Sequence, residues 1–251
     1  MPYATNNGTS VYYELEGTGP AIVLAHGFGA DHDAWRELGY VEGLAANYTL
    51  VLTDVRGHGR SGKPYDPAAY RSSCFASDVV AVLDDAGIDR AHFFGHSMGA
   101  FIGYSVAKHA PFRLLSLALG GADPYEPDPS TVDSLKTSLE HGLAVAIAEV
   151  EAQHGPVPPR MKATALANNL HALRAALQSP REDYLPGLRI FTGSCLLYAG
   201  FMDPAYSGIQ KLAEEMPGAT FLSLPRLDHW SSFVSTSDIL PYIRAFLRTV
   251  K

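Results

Sequence analysis

Three residue types that together can make a strong nucleophile stand far apart in this chain. Ser97 lies in Gly95-His96-Ser97-Met98-Gly99, Asp203 in Gly200-Phe201-Met202-Asp203-Pro204, and His229 in Asp228-His229-Trp230. A serine hydroxyl is a weak nucleophile at its own pKa, so it needs an adjacent base. That base needs a buried carboxylate to fix its tautomer and stabilise the imidazolium. Serine, acid and histidine in this chain order can therefore support acyl transfer through a covalent intermediate. The carbonyl oxygen then becomes an oxyanion, which requires backbone N–H donors aimed at it. Met98 offers one, at the start of a helix whose dipole favours negative charge there. Phe28, in His26-Gly27-Phe28-Gly29, is the candidate for the second. Phe28 and Trp230 are also the candidate substrate contacts. His26 reads as a brace for its loop, and His96 as a residue that points away from the base and packs or faces the rim.

The elements that must position these groups follow from hydrophobic pattern. Short apolar runs rich in β-branched residues predict core strands at 21–25, 50–54, 91–95, 114–119, 195–199 and 220–224. Between them lie stretches of helical period, the signature of βαβ units. Phe75, Val79, Val82, Leu83 and Ala86 repeat at three and four residues, with Ser72 or Ser73 as N-cap and Gly87 as C-cap. A segment from Val11 to Leu15, after Asn7-Gly8, predicts one arm of an antiparallel hairpin. A helix around 239–250 closes the domain. Ser97, Asp203 and His229 each stand just past the carboxyl end of a predicted parallel strand, and such loops converge on one rim of a sheet.

One region breaks the alternation. From Asp123 to Pro186 no strand is predicted, only helical stripes: Val132, Leu135, Leu139, Leu143, Ile147 and Val150, then Leu166, Leu170, Leu173 and Leu177. Proline-rich joints frame it at Pro124-Tyr125-Glu126-Pro127-Asp128-Pro129 and Pro156-Val157-Pro158-Pro159. We expect residues 123–186 to form a helical lid inserted into a core made of 1–122 and 187–251. The apolar stripes suit either the core or a second copy of the chain, so they leave oligomeric state open.

Composition excludes several classes. A 251-residue chain with 47% hydrophobic and 18% charged residues can bury a large core. A formal charge of −7, without runs of Lys and Arg, gives no footprint for nucleic acid or an anionic membrane. The first residues lack a secretory pattern and no apolar run reaches about 18 residues, so a cytoplasmic location is expected. Cys74 and Cys195 have neither zinc-site spacing nor disulfide density and read as free thiols. No metal and no cofactor are expected; a small-molecule substrate and water suffice.

Taken in order, His26-Gly27-Phe28-Gly29, the turn Asp54-Val55-Arg56-Gly57-His58-Gly59-Arg60-Ser61, the run Gly95 to Gly99 and the acid and histidine loops resemble an α/β-hydrolase-fold serine hydrolase. The resemblance covers nearly the whole chain. It implies an α/β fold with a mostly parallel central sheet of about eight strands, helices on both faces, a helical lid, and a catalytic triad of Ser97, Asp203 and His229. It also leaves Asp123 as an alternative acid, because some similar hydrolases carry it in the loop after the preceding strand. Asp228, adjacent to His229, is the weakest candidate. Similar proteins often have glycine shortly before the histidine, where Pro225-Arg226-Leu227-Asp228 stands here. Gly57 to Gly62 also matches a dinucleotide-binding pattern, but Lys63-Pro64 follows where a helix should open, so Asp54 and Arg56 are read as turn-stabilising.

Serine at the turn, where dehalogenases and epoxide hydrolases of similar fold use aspartate, disfavours those chemistries. The expected activity is hydrolysis of small to medium, mainly apolar carboxylic esters. Lactone, thioester, carbon–carbon or perhydrolytic chemistry, and a hydrolase-like small-molecule receptor, are the alternatives. A histidine base implies turnover that declines as pH drops through about 6.5. Ser97→Ala is expected to abolish hydrolysis of p-nitrophenyl esters; wild-type turnover in that variant would refute the assignment.

Overall fold

The computed structural model describes residues 2–125, 129–180 and 182–250, with backbone alone for 129–134. Residues 126–128 of the first proline-rich joint and the side chain of Val132 lie outside the described residues. Eight strands form one sheet: β1 (Tyr3–Asn6), β2 (Thr9–Gly17), β3 (Ala21–Ala25), β4 (Thr49–Thr53), β5 (Ala91–His96), β6 (Leu114–Gly120), β7 (Ser194–Gly200) and β8 (Ala219–Leu224). Their order is β1-β2-β4-β3-β5-β6-β7-β8. β2 runs antiparallel to β1 and β4, and every other pairing is parallel. The β1–β2 hairpin turns at Asn7 and Gly8, whose φ of 46° and 78° match the twist a two-residue turn needs.

Alternating residues of the central strands bury opposite faces, as a sheet covered on both sides requires. Val23, Val51, Phe93, Leu117 and Leu197 point into one core, against the helices Ser72–Asp85, Met98–His109 and Tyr206–Glu215. Ile22, Leu24, Leu50, Leu52, Phe94 and Tyr198 point into the other, against Trp35, Tyr40 and the helix Thr236–Thr249. Strand order reverses at β3, whose neighbours are β4 and β5. The carboxyl ends of β3 and β5 therefore flank the crevice where open α/β sheets bind ligands.

One local expectation is corrected. Ser72 and Ser73 do not cap the helix but begin it, after Arg71 in extended conformation. The Ser72 hydroxyl is instead held 3.0 Å from His109 Nε2. Gly87 ends the helix as read, with φ 67° and the bonds Gly87 N–H to Asp84 O and Ile88 N–H to Leu83 O.

Between β6 and β7 the described residues contain helices and no strand: Pro129–Glu140, Leu143–His154, Pro159–Ala167, Leu170–Leu177 and Leu185–Ile190. The last spans the expected boundary at 186–187, and its buried Leu188 joins the first core. Among the described residues no helix is long and apolar enough to cross a membrane.

Several histidines are buried and neutral. Burial pushes His92 down to about 4, and His58 and His96 to about 3. Below the ordinary value of about 6.5 the unfolded chain takes up protons that these rings refuse, so stability declines as pH drops from there, by about 1.4 kcal/mol per pH unit for each ring. His92 lies on β5 with Nδ1 2.7 Å from Ser116 Oγ. In His92→Asn, the loss of melting temperature between pH 7 and pH 5 should be smaller than in the parent protein; equal losses would contradict the assignment.

Candidate active site

Ser97 follows β5 directly, with φ 57° and ψ −117°, a conformation side chains other than glycine rarely adopt. Its flanks hold it there. Ser97 N–H donates to Gly120 O at 2.8 Å, and Ser97 O accepts from Ala100 N–H at 2.9 Å. A methyl group at Gly95 would stand 2.3 Å from Gly99 O, and one at Gly99 would stand 1.9 Å from Ala25 O. The two glycines thus let strand and helix meet in one tight turn, which lifts the hydroxyl onto the rim.

His229 Nε2 lies 3.1 Å from Ser97 Oγ, and His229 Nδ1 lies 3.1 Å from Asp203 Oδ2. A carboxylate only accepts, so the ring proton sits on Nδ1 and Nε2 is left to accept from the serine hydroxyl. The Asp203 side chain is 1% exposed while that of His229 is 41% exposed, so the carboxylate is sealed and the imidazole is reachable. Burial alone would raise the Asp203 carboxyl, but the His229 ring and the Ala205 N–H, which donates at 2.9 Å, hold it below the usual carboxylate value. The carboxylate stays charged at neutral pH.

The acid and histidine loops are bonded to each other. Met202 N–H donates to Leu227 O at 2.9 Å and Phe201 N–H to Leu224 O at 3.0 Å. A methyl group at Gly200 would strike Leu227 O at 2.3 Å. Of the rival acids, Asp123 accepts from Tyr125 N–H at 3.0 Å and packs on Gly208, and Asp228 accepts from Ser231 and from His154 Nδ1. His229 is paired with Asp203.

The β3 loop reaches the same place. A methyl group on Gly27 would sit 3.6 Å from Ser97 Cβ, so the loop that carries Phe28 closes against the Ser97 turn. Among the described residues neither the Phe28 nor the Met98 N–H donates to a protein group. The Phe28 ring meets His58 edge-on at 5.5 Å, and half-buried Trp230 packs on the second core. His26 braces the loop: its Nδ1 lies 2.8 Å from Gly27 O, and its Nε2 accepts from Val55 N–H at 3.1 Å.

Asp54 ties the following turn together, accepting from His32 N–H, His32 Nδ1 and Arg60 N–H. Arg56 pairs with Asp78. The Gly57–Gly62 run leads to a 3₁₀ turn at Pro67–Tyr70 and not to a phosphate-binding helix. His32, which the sequence did not single out, brings Asp31 and Asp33 within ligand-like reach, 4.8 Å. Its Nδ1 serves Asp54, however, and Asp33 is already paired with Arg36 and Arg160. A second serine–histidine–carboxylate grouping, Ser72, His109 and Glu182, cannot relay a proton: hydroxyl and carboxylate share one nitrogen, Nε2.

The helical insert is tied to this rim. Asn168 Nδ2 donates to Gly29 O at 2.7 Å, Thr164 Oγ1 to Asp31 Oδ2 at 3.2 Å, and His154 Nδ1 lies 2.9 Å from Asp228 Oδ2. All three partners belong to the loops that carry Phe28 and His229.

A family model describing the α/β-hydrolase fold matches residues 20–229. The chain belongs to the α/β-hydrolase family. A putative carbamate hydrolase RutD of Azorhizobium caulinodans is 40% identical over 119 residues, 47% of this chain and 43% of that protein. The chain thus aligns with under half the length of such curated relatives. An enol-lactonase from Burkholderia xenovorans LB400 superposes with a TM-score of 0.87 at 23% identity, covering 98% of this chain and 100% of that one. Est816, described as an N-acyl homoserine lactone degrading enzyme, superposes with a TM-score of 0.78 at 26% identity, covering 98% and 100%.

In the loop before His229, Arg226 adopts φ 65°. It takes the left-handed conformation that glycine would occupy freely, at a cost of about 1–2 kcal/mol. Arg226→Gly should raise unfolding free energy by up to about 1 kcal/mol, since glycine's own chain entropy offsets part of the relief. A lowered denaturation midpoint would contradict this.

Proposed function

We propose that the chain is a serine hydrolase that cleaves carboxylic esters of small to medium, mainly apolar acyl groups through an acyl-enzyme on Ser97. The hydrogen-bonded chain Ser97–His229–Asp203, at 3.1 Å per link, carries this reading. His229 Nε2 takes the hydroxyl proton as Ser97 Oγ attacks the carbonyl carbon. The oxyanion is held by the Phe28 and Met98 N–H groups. His229 then gives its proton to the leaving alcohol as the C–O bond breaks. Water repeats the sequence on the acyl-enzyme, with Asp203 charged throughout.

The insert supplies a roof. Its contacts with Gly29, Asp31 and Asp228 support reading the insert, residues 123–186, as a lid over the crevice, with Phe28 and Trp230 as apolar contacts for the substrate. Substrate and water are the only partners this chemistry requires. Lactones are cyclic esters open to the same attack, and the likeness to Est816 supports including them among the substrates.

Two measurements test the reading. Asp203→Asn should lower kcat on a p-nitrophenyl ester by about 10³- to 10⁴-fold, because the amide favours the wrong imidazole tautomer, while Asp123→Asn should stay within a few-fold of wild type. The reverse pattern would move the acid to Asp123. A panel of esters, lactones, thioesters and carbamates at equal concentration should rank short apolar esters or lactones first; turnover of none of them would leave a receptor as the better reading.

A further inference from the structure

The catalytic reading leaves one polar group at the site unused. His96 precedes Ser97, is 2% exposed, and lies inside a stack of rings: Phe233 at 5.1 Å and 14°, Tyr198 at 5.9 Å and 27°, with the His229 ring at 5.1 Å. Gly121 closes another side, since a methyl group there would stand 2.5 Å from the imidazole. An imidazole in such a slot has one orientation.

Both ring nitrogens have partners. Nε2 lies 3.1 Å from the backbone oxygen of His229, and Nδ1 lies 3.2 Å from the Tyr198 hydroxyl. A carbonyl only accepts, so the proton is on Nε2; Nδ1 then accepts from Tyr198 Oη–H. The His229 carbonyl receives a second bond, from Ser232 Oγ–H at 3.0 Å. The residue beside the nucleophile thus holds the main chain of the base. Burial keeps this ring neutral, with its pKa pushed down to about 3, so the bond persists across the working range.

We propose that His96 is a positioning residue that couples the Ser97 turn to the His229 loop and sets the reach from His229 Nε2 to Ser97 Oγ. This rests on the serine-hydrolase reading above. His229 sits on a loop whose Arg226 is strained and whose ring is partly exposed, so its register toward Ser97 depends on what grips its backbone. His96 grips it from the turn itself, so nucleophile and base are fixed to one rigid body. A base displaced by about 1 Å costs roughly 100-fold in rate.

His96→Phe keeps the ring stack and deletes both bonds. His96→Gln restores an N–H donor at the reach of Nε2. Kinetics on a p-nitrophenyl ester, per folded molecule, should show kcat lowered about 10- to 100-fold in His96→Phe with KM near wild type, and most of that loss recovered in His96→Gln. The acid limb of the kcat–pH profile should shift in His96→Phe and return in His96→Gln, a readout that mere packing would not move. If His96→Phe fails to fold, Tyr198→Phe and Ser232→Ala carry the test, each with a smaller kcat loss at unchanged KM. Wild-type kcat and pH profile in the folded variants would overturn the proposal. That result, with Ser97→Ala inactive, would leave the hydrolase reading intact; turnover in Ser97→Ala would overturn the hydrolase reading itself.

Discussion

The left-handed backbone of Ser97 is the constraint on which the rest of the structure depends. A residue with a side chain at φ 57° costs about 1–3 kcal/mol and persists only where its surroundings over-determine it. Here the surroundings are the middle of the sheet: β3 beneath Gly99, β6 bonded to the Ser97 amide, and the helix Met98–His109 launched immediately afterwards. The large buried core of two faces supplies the stability against which such strain can be held. A hydroxyl on a surface loop would have no comparable reason to stay aimed at one nitrogen.

The same economy governs charge. Asp203 is buried yet charged because His229 and an amide bond its oxygens, and Asp54 is buried yet charged because His32 and the Arg60 amide do the same. His26, His58 and His96 are buried and neutral, each with a backbone carbonyl at Nδ1 or Nε2. The rim is thus built from imidazoles in two states. Neutral rings hold loops in place, while His229 is partly open to solvent, as the proton transfer proposed for it requires.

Much of this was legible in the sequence because it is written in local rules. β-branched runs gave the strands within one or two residues, Asn7-Gly8 gave the hairpin, and the Gly-x-Ser-x-Gly run between a strand and a helix gave the turn at Ser97. The choice of Asp203 over Asp123 and Asp228 rests on a loop pattern; in the structure its Oδ2 lies 3.1 Å from His229 Nδ1. What remained hidden is tertiary. No spacing reveals that Ser72 bonds His109 and so begins its helix without capping it, that Arg226 occupies a glycine-like conformation, or that His96 reaches across to the His229 carbonyl. Each joins residues more than thirty positions apart or opposes a local preference, and propensity carries no information about either.

Covalent trapping tests the central claim most directly. The protein treated with a fluorophosphonate and analysed by intact mass and peptide mapping should gain a single phosphonyl group, on the peptide carrying Ser97, and His229→Ala should suppress it. Absence of an adduct under conditions that label an ordinary serine hydrolase, or an adduct on another serine such as Ser72, would contradict the account.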